Sequence, residues 1–345
     1  MKRRIAVRAP SNIALIKYMG KMDTAQNLPE NGSLSMTLNR LCTFLELEEG
    51  SDQIRFLPEA PPGGSNLIVP QLDKKSLTKL HAHCERVLRE IPALLSRRKL
   101  SNRAVQPFSV RSANSFPTAS GIASSASSYA ALTLALSALS AVDLDSFKNV
   151  YCEDRSFRRD LAALSRQGSG SSCRSFEGPW VKWEKQNAAQ VPTSNLPKMA
   201  HFVALISSEE KSVSSSQAHL RVKTSPLWSG RPERADDRLR GLESAMVIGD
   251  LKKISQLAWS ESWEMHSLFH TASEPFSYWK AGSIAGLQFL APYLSDPVPP
   301  IVTMDAGPNI HVIVPETKRD FWREILKKQF PSLLEDSEGQ GAEIL

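Results

Sequence analysis

The chain runs to 345 residues, of which 41% are hydrophobic and 23% charged, ordinary globular usage that excludes a disordered or fibrous chain. At roughly 150 residues per domain this length fits about two domains, enough to bury a core without a disulfide framework. The formal net charge of +6 suits an anionic ligand but is too small and dispersed to imply a nucleic-acid partner by itself. Cys42, Cys84, Cys152 and Cys173 show no C-x-x-C spacing, so free thiols in a reducing compartment are expected rather than a zinc site. The opening MKRRIAVRAP meets Arg8 and Pro10 before any apolar core develops, unlike a signal peptide. The most apolar stretch, Gly121–Val142, carries seven serine and threonine residues and lacks the uninterrupted run of ~20 apolar residues that a spanning helix needs. A cytoplasmic protein with no membrane segment is expected.

In chain order, a strand is expected at Ile5–Arg8, followed by Asn12–Lys21 (NIALIKYMGK). Lys17, Tyr18 and Lys21 there place two cations and a phenol within a short span. Lys17 and Lys21 share one face on a strand and also on a helix, although for an isolated pair two surface lysines are the commoner case. Strands at Leu41–Leu47 and Ile54–Leu57 lead to a turn cluster at Pro58–Asn66 (PEAPPGGSN). The clearest helix is Lys74–Ile91, where Leu77, Leu80, Cys84, Leu88 and Ile91 recur at spacings of three or four.

After a strand at Phe108–Arg111 comes Pro117–Ser127 (PTASGIASSAS), small residues running into a helix expected over Ser124–Ala141. Free N–H groups at a helix start, with the positive end of its dipole, form an anion site. The segment matches neither G-x-x-x-x-G-K-[ST] nor G-x-G-x-x-G, and a close-packed helix with serine caps reads equally well. A helix at Phe157–Ser165 precedes Gly168–Arg174 (GSGSSCR), where exposed backbone donors and the Arg174 fork suit a carboxylate or phosphate. A flexible loop with a solvated arginine is the alternative.

A strand at Trp180–Trp183 is followed by the best candidate linker, Gln190–Lys198 (QVPTSNLPK), where a domain boundary is expected. Beyond it lie a strand at Phe202–Ile206, a polar stretch at Ser207–Gln217 that reads as a mobile loop over a site, and helices at Glu233–Trp259 and Phe276–Leu290. A strand at Ile301–Met304 delivers the segment Met304–Asn309 (MDAGPN). Its acid is presented at a strand end, as an orienting base or as a turn cap. A strand at Ile310–Val314, a helix at Lys318–Gln329 and a frayed tail at Glu335–Leu345 complete the chain. The class is α+β or mixed α/β, with no internal repeat. His266 and His270, Trp259, Trp263 and Trp279 read as packing residues, and Cys173, though next to Arg174, as structural.

Together the four chemical segments resemble the diphosphomevalonate decarboxylase family of the GHMP kinase superfamily. The family's N-I-A-x-x-K-Y-W-G-K stands at Asn12–Lys21 with Met19 in place of Trp, and N-L-P-x-N-x-S-[LI]-S-x-T-L at Asn27–Leu38. N-x-F-P-T-A-x-G-[LI]-A-S-S-A stands at Asn114–Ala126 with Ser120 where Ala is common. G-S-G-S-[AS]-C-R-S occupies Gly168–Ser175, and D-A-G-P-N occupies Asp305–Asn309. Further departures are Ala218 at a usual Gly, Ile310 at a common Ala, and Trp263 at the Asn of E-S-N-x-M-H, here Glu261–His266.

The resemblance implies a GHMP-kinase-like two-domain α/β fold with the site in a cleft between domains, residues 1–190 and 191–334, and a flexible tail over 335–345. It implies ATP-dependent decarboxylation of mevalonate 5-diphosphate to isopentenyl diphosphate, with Mg²⁺, in a homodimer that binds neither nucleic acid nor membrane. Carried over residue by residue, Asp305 orients or deprotonates the 3-hydroxyl, Lys17 balances charge on the transferring phosphoryl group, and Arg174 with Asn12 holds the substrate carboxylate. Ala14, Tyr18, Lys21, Ser169, Gly170 and Ser171 complete the substrate site. Pro117, Ser120, Gly121, Ala123, Ser124 and Ser125 wrap the ATP phosphates, Ser124 reaching the metal, with Lys211 and Ser215 closing from the loop. The alternatives are a related GHMP kinase or decarboxylase acting on mevalonate or its 5-phosphate and, remotely, a non-enzymatic polyanion-binding protein.

Overall fold

The computed structural model describes residues 3–117, 124–209 and 211–345. The chain forms β1 (Arg4–Ile16), β2 (Lys21–Asp23), β3 (Leu28–Pro29), β4 (Ser33–Glu49), β5 (Arg55–Leu57), α1 (Lys74–Arg97), β6 (Phe108–Asn114) and α2 (Ser124–Ser140). There follow α3 (Leu144–Glu153), α4 (Arg155–Arg166), a 3₁₀ segment at Gly170–Ser175, β7 (Trp180–Glu184) and β8 (Asn187–Gln190). The remainder comprises β9 (Met199–Ala204), α5 (Ser215–Arg221), α6 (Arg231–Ile248), α7 (Leu251–His270) and α8 (Ala281–Leu290). It closes with β10 (Ile301–Thr303), β11 (Ile310–Pro315), α9 (Arg319–Gln329), β12 (Leu333–Ser337) and β13 (Glu343–Ile344).

Two sheets organise these elements. The larger runs β13-β1-β4-β6-β5, with β7 and β8 extending from β4, and the smaller runs β10-β11-β9-β12. Helix α2 has no single apolar face, as suits a helix covered on most sides: it is buried from Tyr129 to Ser140 and packs against β1, β4, α1 and α4. A second apolar cluster presses Ile13, Leu34 and Met36 of the larger sheet against Leu239, Ile254, Ile301 and Ile313. That shared cluster brings the ends of β1 and β10 together, and with them two segments nearly three hundred residues apart. Among the described residues, no helix is long and apolar enough to cross a membrane.

Several expectations need correction. The helix expected over Glu233–Trp259 is two helices, separated at Gly249–Asp250, with Asp250 capping the second by accepting from Lys253 N at 2.9 Å. Helix α1 continues through Pro92 to Arg97 because Ile91 and Leu95 on either side of the proline are both buried in the core. Strand β1 extends well past Arg8, its register shifting between Pro10 and Asn12 and between Ala14 and Ile16, irregularities that re-aim side chains. The polar stretch Ser207–Gln217 ends in a helix start, capped reciprocally by Ser214 and Gln217.

The tail expected to be frayed at Glu335–Leu345 is instead woven into both sheets. β12 pairs with β9 and β13 with β1, while Asp336 accepts from Arg40 N at 2.8 Å and Leu41 N at 2.9 Å. Its glycines serve close packing: a Cβ at Gly341 would stand 2.2 Å from the Phe176 carbonyl oxygen.

Candidate active site

Where β1 ends, the chain turns and delivers Lys17 into the interior at 2% exposure. An ammonium there needs partners, since burying an unpaired charge is costly. Lys17 Nζ donates to Asp305 Oδ1 at 2.7 Å and to Ala14 O at 2.6 Å. Burial pulls the Lys17 ammonium below the usual lysine range, and the Asp305 carboxylate opposes that pull.

Asp305 follows β10 on a loop that is fixed at each step. Met304 N donates to Ser262 Oγ at 3.1 Å, His266 Nε2 donates to the Asp305 carbonyl at 3.2 Å, and Asn309 Oδ1 accepts from Ile206 N at 2.7 Å. Helix α7 holds the Lys17 side of the pair as well, because Glu261 Oε1 accepts from Lys17 N at 3.0 Å. Glu261 is fully buried between Arg231, itself fully buried, and Arg238. One helix thus positions the backbones of both partners in the ion pair.

Arg174 arrives from the 3₁₀ segment at 4% exposure. Its Nε donates to Asn12 Oδ1 at 3.2 Å and its Nη1 to Ser33 Oγ at 2.7 Å, while Trp183 stacks 5.6 Å from the guanidinium carbon. Nη2 has no hydrogen bond to another described residue, and the charge of Asp305 reaches this guanidinium. Cys173 next to it is inert: burial pushes its thiol up to about 12, despite Arg174 and Arg166.

All three charged groups line one cavity of about 740 Å³, a size suited to small-molecule ligands. Its described lining carries the cations Lys17, Lys21, Lys79, Arg86, Arg174 and Lys211 against the lone carboxylate Asp305. Such a balance is built for a polyanion. Ala14, Tyr18, Lys21, Ser169, Gly170 and Ser171 line it too, as do Ser124, Ser125, Lys211 and Ser215. Lys17 and Lys21, expected on one face, share the cavity but not a partner: Lys21 Nζ donates to Asn27 Oδ1 at 2.6 Å. Ser169 Oγ donates to Ser125 Oγ at 3.2 Å, so two of the small-residue segments meet. Lys211 lies 5.6 Å from the centre of the Tyr278 ring.

Two expected site residues stand elsewhere. Asn12 is buried behind Arg174, donating to Ser175 Oγ at 3.0 Å and Ser171 O at 3.3 Å, so it aims the guanidinium and does not line the cavity. Pro117 is likewise absent from the lining. Ser120, Gly121 and Ala123 lie outside the described residues. His266 and His270 pack as expected, with His266 stacked 4.9 Å from Trp279. Burial pushes His266 down to about 3, Lys17 adding to the effect, so the imidazole that supports the Asp305 loop is neutral.

Sequence reasoning missed Glu261, Ser33 and the α1 cations. Lys79 and Arg86 are seven apart, two helical turns, and so share a face; that spacing was the available signal. For Glu261 and Ser33 no local pattern points to a partner, because the contacts join distant stretches of chain.

Comparison with known proteins follows this geometry. The model for a diphosphomevalonate decarboxylase-like N-terminal domain matches residues 9–194, and that for a mevalonate 5-diphosphate decarboxylase C-terminal domain matches residues 201–342. The diphosphomevalonate decarboxylase of Gibberella zeae is 31% identical over an alignment covering 92% of this chain and 82% of the relative. The solved mevalonate diphosphate decarboxylase of Legionella pneumophila is 34% identical, with a TM-score of 0.78 over 96% of this chain and all (100%) of that one. A structure described as MDDEF in complex with MVAPP, AMPPCP and magnesium is 28% identical, with a TM-score of 0.82 over 100% of this chain and 99% of that one.

Proposed function

The chain belongs to the diphosphomevalonate decarboxylase family, and on that premise we propose that it converts mevalonate 5-diphosphate and ATP into isopentenyl diphosphate, ADP, phosphate and carbon dioxide. The observation that carries this reading is the buried Lys17–Asp305 pair, 2.7 Å apart, facing Arg174 in a cavity lined by cations. Asp305 takes the proton of the 3-hydroxyl, whose oxygen attacks the γ-phosphorus while ADP leaves. The Lys17 ammonium balances the charge that accumulates on the transferring phosphoryl group. Departure of the phosphate with the C–O electron pair leaves positive charge on the tertiary carbon. The C–C bond to the carboxylate then breaks, its electrons forming the double bond as carbon dioxide departs. Ala14 and Ala306 line the same cavity and offer no nucleophile to the cation.

Arg174 Nη2 is the donor left for the substrate carboxylate, with Asn12 setting its angle. Tyr18, Lys21, Ser169 and Ser171 receive the 5-diphosphate, and Ser124 and Ser125 the ATP phosphates, with Lys211 and Ser215 approaching from the α5 side. The donor set fits magnesium held mainly by phosphates and water, as is usual for this ion, because the described lining offers hydroxyls such as Ser124 Oγ and a single carboxylate. Magnesium bound there supplies charge neutralisation for the phosphates. The relative solved with MVAPP, AMPPCP and magnesium supports this choice of partners. The proposal extends to a homodimer, to domains meeting near residues 190–191, and to a cytoplasmic setting, which the four free cysteines favour.

A coupled assay of ADP and carbon dioxide with mevalonate, its 5-phosphate and its 5-diphosphate tests the reading. Equal amounts of both products, formed only from the 5-diphosphate, are expected; ADP without carbon dioxide would identify a kinase instead. Arg174→Lys keeps the charge but loses the fork and its bond to Asn12. A charge-assisted hydrogen bond contributes ~1.5–3 kcal/mol, so kcat/KM is expected to fall roughly 10- to 150-fold. Steady-state kinetics with varied 5-diphosphate measures it.

A further inference from the structure

Helix α5 meets the substrate-binding turn through a residue that no motif singles out. His219, 7% exposed, accepts from Gly20 N at its Nδ1, 3.0 Å away. A backbone N–H only donates, so this nitrogen keeps its lone pair and the ring proton sits on Nε2. The same imidazole lies 4.4 Å from the Tyr18 ring, whose centre is 4.6 Å from Trp183. Tyr18 is thereby fixed between an aromatic of the larger sheet and an imidazole of α5.

The rest of the turn is held by Met19, buried in an apolar cluster with Ala218 and Val222, and by Lys223 Nζ, which donates to Lys21 O at 2.7 Å. Gly20 adopts φ +88°, with Trp228 pressed where a Cβ would stand, and Tyr18 Oη reaches Asn27 O only at 3.5 Å. We propose that His219 is a positioning residue for the decarboxylation: it fastens α5 to the Tyr18–Gly20 turn and so shapes the subsite for the substrate's diphosphate. The inference rests on the function proposed above, since it assigns the turn to that diphosphate.

The charges facing the imidazole are Lys21 on β2 and Lys223 after α5, the latter bonded to Glu30 and to Lys21 O. The Tyr18 ring packs against it at 4.4 Å, and no carboxylate of a described residue bonds to it. An imidazolium at this place would lose the Gly20 bond and meet two ammonium groups. Burial first, then Lys21 and Lys223, pushes His219 down to about 3, whereas a released imidazole titrates near ~6.5. The docked value is the lower one. Docking is therefore complete above about pH 6.5 and weakens as pH falls towards 3, at most about tenfold per pH unit.

The test compares wild type, His219→Leu and His219→Asn as full chains, with mevalonate 5-diphosphate at pH 7.5 and 5.8. Removal of the acceptor in His219→Leu is expected to raise KM at least about fivefold with kcat within about twofold. The Asn amide oxygen takes the place of Nδ1 as a non-titrating acceptor. His219→Asn is expected to restore KM at pH 7.5 and to show a smaller acid rise in KM than wild type, the substrate's own ionisation being common to all three. Amide exchange at Gly20 reads the same contact without turnover: faster in His219→Leu, slow in His219→Asn. A wild-type KM and Gly20 exchange rate in His219→Leu would overturn the inference, as would identical acid dependence in wild type and His219→Asn. An inactive wild type would instead sink the proposed function, and Gly20 exchange would still decide the contact.

Discussion

Asp305→Asn is expected to lower kcat by roughly 10³–10⁴-fold, the upper range for loss of a positioned proton acceptor, while nucleotide affinity stays within about twofold. The carboxylate has two tasks that an amide cannot perform. In the proposed mechanism it takes the hydroxyl proton, and it is the sole acidic partner of the buried Lys17 ammonium among the described residues. The fold around it should survive, because the loop is held through backbone groups: Met304 N on Ser262, and the Asp305 carbonyl on His266. Single-turnover release of phosphate and carbon dioxide, beside nucleotide binding by calorimetry, separates the two effects. Turnover near the wild-type rate would remove Asp305 from the mechanism.

The second large effect is on stability. Glu261 binds Arg231 and Arg238 and accepts from Lys17 N. Glu261→Ala would leave the fully buried Arg231 guanidinium with only Glu264, 3.9 Å away. Removing one partner of a buried ion pair costs about 3–5 kcal/mol, and for a chain of 345 residues Tm is expected to fall by roughly 4–7 °C. Glu261→Gln keeps the volume and an acceptor for Lys17 N, so it should lose stability while keeping more activity than Glu261→Ala. Differential scanning calorimetry with parallel kinetics checks both variants; an unchanged Tm in Glu261→Ala would show that the cluster is not a structural support.

The two effects share one origin. Helix α7 presents Glu261, Ser262 and His266 to the segments that carry Lys17 and Asp305, so the stability of that helix's buried charges and the geometry of the Lys17–Asp305 pair are linked. The His219 contact extends the same logic to the Tyr18–Gly20 turn, where α5 shapes the proposed diphosphate subsite.

What the sequence determined by itself was local. Small-residue turns, an acid after an apolar run and a lysine–tyrosine–lysine cluster are recognisable because neighbouring residues create them, and their order along the chain indicated the family. Periodicity located the central strands and most helices but not their bounds: it missed α3, joined α6 to α7, stopped α1 short of Pro92 and left the tail unpaired. The tertiary structure alone decided which groups meet: Lys17 with Asp305, 288 residues apart, Lys17 N with Glu261, 244 apart, and Gly20 with His219, 199 apart. Contacts at such separations arise only when the shared apolar cluster closes the two sheets on each other, because burial, not any local pattern, selects which polar groups must find one another.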